Sequence, residues 1–400
     1  MHLLRALGDL QGPTTGAAEI SEFRLLCSGA LYNGRILGGD WTKSDACRVL
    51  CREPVALMSV STPPDDYPQE LLLKVAVRPT EVVKEAPGGG KSISTFTPHA
   101  EVASDLAALL TLLLRRLVTV HCQVSVKIPL DPKSVLGLLV DEWPMPIFRP
   151  ASVTAWRPRP LFVSYTLNAP PRVTGYSVPP LGIDVDWLRA ILIKLPSVPT
   201  APALLACARL YAEAMQILED RPEVAYQLFI AAAETLASVA AKNFQPTDAE
   251  KADTKRVVSN RALALGLAEP AARELAILAT ADMKWTGQKF RQCLMRYADD
   301  SIWLPDDLFV LEADWLPKRE EFETVLRKIC RMRGAVLHSG ERFPASVGIG
   351  TTPLVPVRAL QDLLAGDTFP PVTWFERVVQ RAALCYAEET LGVAPARPAV

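Results

Sequence analysis

The chain has 400 residues, of which 49% are hydrophobic and 22% charged, with 43 basic against 44 acidic side chains and a net charge of −1. That length exceeds one ordinary core and points to two domains, and the composition is that of a globular protein. A near-neutral chain has no global field to attract nucleic acid, so any such contact must be a local basic site.

The first ten residues, MHLLRALGDL, hold too short an apolar run for a signal peptide. The most apolar segment, Leu106 to Leu114, ends at Arg115-Arg116, far short of the roughly 20 residues of a membrane span. A soluble, cytoplasmic protein without membrane contact is expected. Residues 1–200 read as a mixed α/β, strand-leaning domain. Phe23–Tyr32, Glu70–Val77 and Val118–Ile128 are short β-branched, aromatic or alternating apolar runs between turn signals. Pro98 to Leu117 reads as a helix with a first-turn proline and a broad Leu/Ala face.

Pro87-Gly88-Gly89-Gly90-Lys91-Ser92 lacks the glycine that a phosphate-binding loop places five positions before its Gly-Lys, because Glu85 stands there. It reads as a loop between two strands. Twelve prolines lie between Pro144 and Pro202, a density that suits turns, edge strands and a connector, and places a boundary near 195–201.

Residues 201–400 read as an all-α bundle. Helices are expected over 202–220, 222–242, 248–266, 268–282, 286–298, 317–337 (ended by Gly340) and 372–391, with an acidic loop at 299–307. The fold class is therefore α+β, a strand-rich domain followed by a helical bundle.

The eight cysteines are scattered and only Cys47 and Cys51 lie close together, so neither a zinc ligand set nor a disulfide framework is legible. No cofactor motif is found. Asp184 and Asp186 read as turn or edge carboxylates, and Asp299, Asp300, Asp306 and Asp307 as a solvated loop rather than a metal cradle. His99 and His121 have no catalytic partner in view. Trp143, Trp156, Trp187, Trp285 and Trp303 are spread out, as core and surface anchors are.

The richest chemistry lies in Arg331-Met-Arg333-Gly334-Ala-Val-Leu-His338-Ser-Gly340-Glu341, which holds one of only four histidines. An imidazole moves protons near neutral pH, and a guanidinium grips two phosphate oxygens. On an ideal helix Arg331 and His338 lie almost on one face, whereas Arg333 and His338 are about 140° apart. Both arginines serve one histidine only if the last turn loosens or a second subunit completes the pocket. The plain alternative is a basic helix end, since cations suit the last turn and its carbonyls.

Residues 329–344 resemble the R-x4–6-H signature of HEPN domains, in particular the ApeA-like group, whose motif ends in a similar His-x-Gly-Glu. Arg333 and His338 fit with four intervening residues, Arg331 and His338 with six. Ala225 to Leu236, with Glu234 inside an apolar run, resembles a second helix of that family. The resemblance covers roughly residues 200–392. It implies a homodimeric helical bundle and a metal-independent endoribonuclease that leaves 2′,3′-cyclic phosphates. It also implies a prokaryotic antiviral defence setting, with residues 1–200 sensing or restraining and the trigger unspecified. His338 would then move the proton, Arg333 would hold the scissile phosphate, Arg331 would be a second phosphate contact, and Glu234 would orient Arg333 or His338 or bridge helices. One departure is Gly334, where active members often carry a polar residue. The alternative is a non-catalytic HEPN module for dimerisation or for RNA or ligand binding.

Overall fold

The computed structural model describes Leu4 and residues 19–28, 55–61, 69–77, 80–85, 91–96, 99–115, 117–126, 185–218, 221–281, 283, 285–304, 316–348 and 369–395. Cys47, Cys51, Trp143, Trp156, Asp184, Asp306 and Asp307 lie outside the described residues.

Strands β1 (Glu19–Ser28), β2 (Val55–Ser61), β3 (Gln69–Val77) and β6 (Leu117–Val126) form an antiparallel sheet in the order β2-β3-β1-β6. β1 pairs with β3 through Phe23↔Leu73 and with β6 through Phe23↔Gln123. β4 (Thr80–Glu85) and β5 (Lys91–Phe96) pair separately with Glu85 opposite Lys91; Gly88, Gly89 and Gly90, expected as a loop between two strands, lie outside the described residues.

Helix α1 (His99–Leu114) packs against the sheet on one side and a long helix on the other. That placement suits a helix apolar over most of its circumference, with Val102, Leu106, Leu109, Leu110, Leu112 and Leu113 all buried. Thr111 at its end accepts a hydrogen bond from the Val118 amide (3.0 Å) and donates to the Ala107 carbonyl (2.8 Å), tying helix to strand.

The remaining helices are α2 (Val185–Lys194), α3 (Ala201–Ile217), α4 (Pro222–Ala240), α5 (Asp248–Ala264), α6 (Glu269–Ala281), α7 (Thr286–Tyr297), α8 (Phe322–Ser339) and α9 (Val372–Leu391). The described residues from 201 onward are mostly helical, as their periodicity predicts. Asp186, expected as a turn or edge carboxylate, instead belongs to α2. That ten-residue helix fits after the last proline before Leu195 and closes with Lys194.

α9 is the hub, with both its apolar residues and Glu376, Arg377 and Gln380 buried. Tyr226 on α4 stacks on Phe375 at 4.8 Å between ring centroids. Three buried polar side chains on α9 meet partners, as burial favours. Glu376 takes the Arg115 guanidinium (2.6 Å) and the Tyr211 hydroxyl, Arg377 donates to the Leu304 carbonyl (2.6 Å), and Gln380 donates to the Leu112 carbonyl (3.3 Å). One core runs from α1 through α9. No helix of the described residues is long and apolar enough to cross a membrane.

Candidate functional site

Helix α8 is amphipathic. Phe322, Val325, Leu326, Ile329 and Cys330 recur at the three- and four-residue spacing of one helical stripe. Leu326 and Ile329 are buried, and the other three pack against the core. Phe322 wedges the start of the helix against Trp303 and Trp374, with centroids at 5.6 and 6.0 Å. The far end stops at Gly340, whose φ of +67° is the left-handed conformation that glycine adopts at little cost. The Gly340 and Glu341 amides both turn back to the Ala335 carbonyl, which fixes the last turn carrying His338.

Continuing the inner stripe by four residues from Ile329 reaches Arg333. Its guanidinium meets Glu234 on α4 at 2.9 Å. Burial pushes the Glu234 carboxyl above the ordinary carboxylate range, and the charge of Arg333 pulls it back only in part. Beside this pair, burial pushes the Cys330 thiol up to about 11, against the opposing charges of Arg291 and Arg333. It is an inert thiol at neutral pH. Arg291, on α7, approaches Glu323 at 4.0 Å, while Arg327 holds the same carboxylate at 2.5 Å. One carboxylate facing two guanidiniums leaves that trio net positive.

The outer face of α8 differs. Arg331 and His338 are exposed and, seven residues apart, fall within about 20° of each other around the axis. Neither has a hydrogen-bond or ion-pair partner among the described residues. The four residues singled out in the sequence thus divide into two pairs. Arg333 joins Glu234 inside, and Arg331 joins His338 outside. Arg333 and His338 are not brought to one face of this helix. Such an outer face can bind a phosphate and transfer a proton beside it.

Two contributors were absent from the sequence reading. Arg327 stands four residues before Arg331 on the same exposed face, so helical periodicity was a sufficient signal. Arg291 reaches α8 only through the packing of α7 against it, and no local pattern announces that.

The acidic loop carries a different role. Asp299 hydrogen-bonds Arg381 (3.2 Å to Nε), and Asp300 pairs with Arg319 at 2.5 Å. Burial alone would raise the Asp299 carboxyl, but hydrogen bonds from Arg381 and Ser301 outweigh it and hold the pKa at about 2. Both carboxylates brace helices. Among the described residues no group of three or more His, Cys, Asp or Glu is placed to hold a metal ion. Trp187 and Trp285 are buried anchors, and His99 and His121 belong to α1 and β6, elements apart from α8.

No family model, curated protein or solved structure matches the chain.

Proposed function

We propose that the protein is a HEPN-type, metal-independent endoribonuclease acting on single-stranded RNA, with a strand-rich N-terminal domain that restrains or triggers it in an antiviral defence setting. The observation that carries this reading is the exposed Arg331–His338 pair at a rigidly capped helix end, beside the HEPN-like motif. The arginine roles that the resemblance implies are reassigned. Arg331 grips the scissile phosphate and stabilises its growing charge, and Arg333, tied to Glu234, anchors the helix that presents it.

The chemistry moves two protons. The 2′-oxygen attacks phosphorus as its proton passes to a neutral imidazole, the P–O5′ bond breaks, and the 5′-oxygen receives a proton from an imidazolium. The products are a 2′,3′-cyclic phosphate and a 5′-hydroxyl. Because one imidazole cannot occupy both sides of the phosphorus, a homodimer in which two copies of His338 face one cleft fits the reaction.

One observation favours a second reading, a module that binds RNA without cutting it. No described group hydrogen-bonds the His338 imidazole, and catalytic imidazoles are commonly oriented through their second nitrogen. Incubation in EDTA with single-stranded RNA and with the same sequence in 2′-deoxy form separates these readings. Cleavage of the RNA alone, with cyclic phosphate ends, supports the nuclease. RNA that is bound and left intact supports the binding module. Cleavage that EDTA abolishes overturns the metal-independent reading.

A further inference from the structure

We propose that one face of the α5–α6 hairpin docks on the same face of a second copy of this chain, antiparallel about a two-fold axis. This inference rests on the homodimeric reading above in that it gives that dimer its contact; the surface itself is read from the hairpin alone.

The two helices are joined by residues 265–268 and pack on each other, as an antiparallel helical hairpin does. The seam between them is thin. Within residues 248–281 only Ala262, Ala272, Ala276 and Thr280 are buried, and none of these joins the core that runs from α1 through α9. The larger apolar side chains lie off the seam. Measured from Ala262 on an ideal helix, Val257, Arg261 and Leu265 fall within about 80° of arc to one side. Measured from Ala276, the residues Ala271, Leu275 and Leu278 fall within about 60° to the same side. In an antiparallel pair these two arcs make one face of the hairpin. On it Leu265 is 75%, Leu278 59%, Val257 57% and Leu275 45% exposed.

Two features select a second copy as the occupant. The first is area. These four side chains hold roughly 400 Å² of apolar surface in water, about the apolar share of what each partner buries in a standard interface. The second is charge. Glu250, Thr254, Val257 and Arg261 run along this face of α5, with Glu250 and Arg261 equally far from the midpoint between Thr254 and Val257. An isologous antiparallel contact of α5 with its copy therefore sets each Glu250 beside the partner's Arg261. Glu250 is already held for that role, because its Oε2 accepts from the Thr247 amide (2.8 Å) and hydroxyl (3.0 Å) while Oε1 is left to a guanidinium. Leu263 and Ile277 lie on the opposite face of the hairpin.

The test is sedimentation equilibrium of the full chain at micromolar concentration, with folding followed by circular dichroism. The expected wild type is a dimer. Leu278→Asp weakens it about 100-fold or more, since the symmetry places the change in the contact twice. Ile277→Asp, on the opposite face, leaves it unchanged. Arg261→Glu and Glu250→Lys each weaken self-association about 10-fold or more, and an equimolar mixture of the two restores it, because every facing pair is then of opposite sign. A monomeric wild type overturns the inference, whether the face is bare or covered by the chain's own segments. A dimer that Leu278→Asp leaves intact, or a mixture no stronger than either variant, overturns it as well. Cleavage of single-stranded RNA in EDTA is followed in parallel. A dimer with these responses that leaves RNA whole upholds the contact and overturns the nuclease reading, so the two failures are told apart.

Discussion

Arg333 on α8 and Glu234 on α4 meet at 2.9 Å across a helix–helix contact, with the carboxylate only 17% exposed. The pair closes the inner stripe of α8 and turns Arg333 away from the face that carries Arg331 and His338. It separates what anchors the helix from what the helix presents to solvent.

The two partners respond differently to substitution. Burial outweighs Arg333 in setting the Glu234 carboxyl, so its folded pKa is raised. A raised carboxylate adds stability that is complete below its unfolded value and is lost as the pH rises through the folded pKa. Glu234→Gln is therefore neutral or slightly stabilising at pH 7, within about 1 kcal/mol. Arg333→Ala, at a side chain more than a third exposed, costs roughly 0.5–1 kcal/mol. Urea denaturation of both variants at pH 4 and pH 7 measures these differences.

Asp299 shows the opposite pH dependence. Its pKa of about 2, held down mainly by Arg381 against the effect of burial, gives stability that is present above the unfolded carboxylate value and lost as the pH falls through about 2. The side chain is 38% exposed, so after screening the contribution is about 1 kcal/mol. In acid titration Asp299→Asn loses this dependence between pH 4 and pH 2.

Glu376 is a buried structural carboxylate. It is fully buried and holds the Arg115 guanidinium at 2.6 Å. Glu376→Leu takes the carboxylate away from a largely buried cation and lowers unfolding stability by about 3–5 kcal/mol. Chemical denaturation reads this directly, and RNA chemistry has no part in it.

Salt dependence sorts the arginines. Each phosphate contact on a single strand adds about 0.7 to the slope of log affinity against log salt. Arg331→Ala lowers that slope by about 0.7, and Arg333→Ala leaves it unchanged. Fluorescence anisotropy titrations over a range of salt concentrations show which guanidinium touches the strand.

Much of the helical half was legible because its ends are marked by local chemistry. Pro222 opens α4, Gly340 stops α8, and α9 runs from Val372 to Leu391 as its apolar period predicts. The inward turn of Arg333 was also readable, since it continues the stripe of Phe322, Val325, Leu326 and Ile329. Its partner was not assured, because which helix crosses that stripe is a tertiary matter. The same holds for Arg291 and for the Arg381 brace on Asp299. α2 was obscured by the prolines around it, whose density hides a ten-residue helix placed between them.

The most direct measurement is the single-turnover cleavage rate of single-stranded RNA in EDTA for the wild type, Arg331→Ala, His338→Ala and Arg333→Ala, each checked for unchanged folding. The account predicts cyclic phosphate products from the wild type, a loss of 100-fold or more for Arg331→Ala and His338→Ala (on the order of the general acid–base contribution), and a several-fold change for Arg333→Ala. Undiminished cleavage by His338→Ala, or a loss confined to Arg333→Ala, would contradict it.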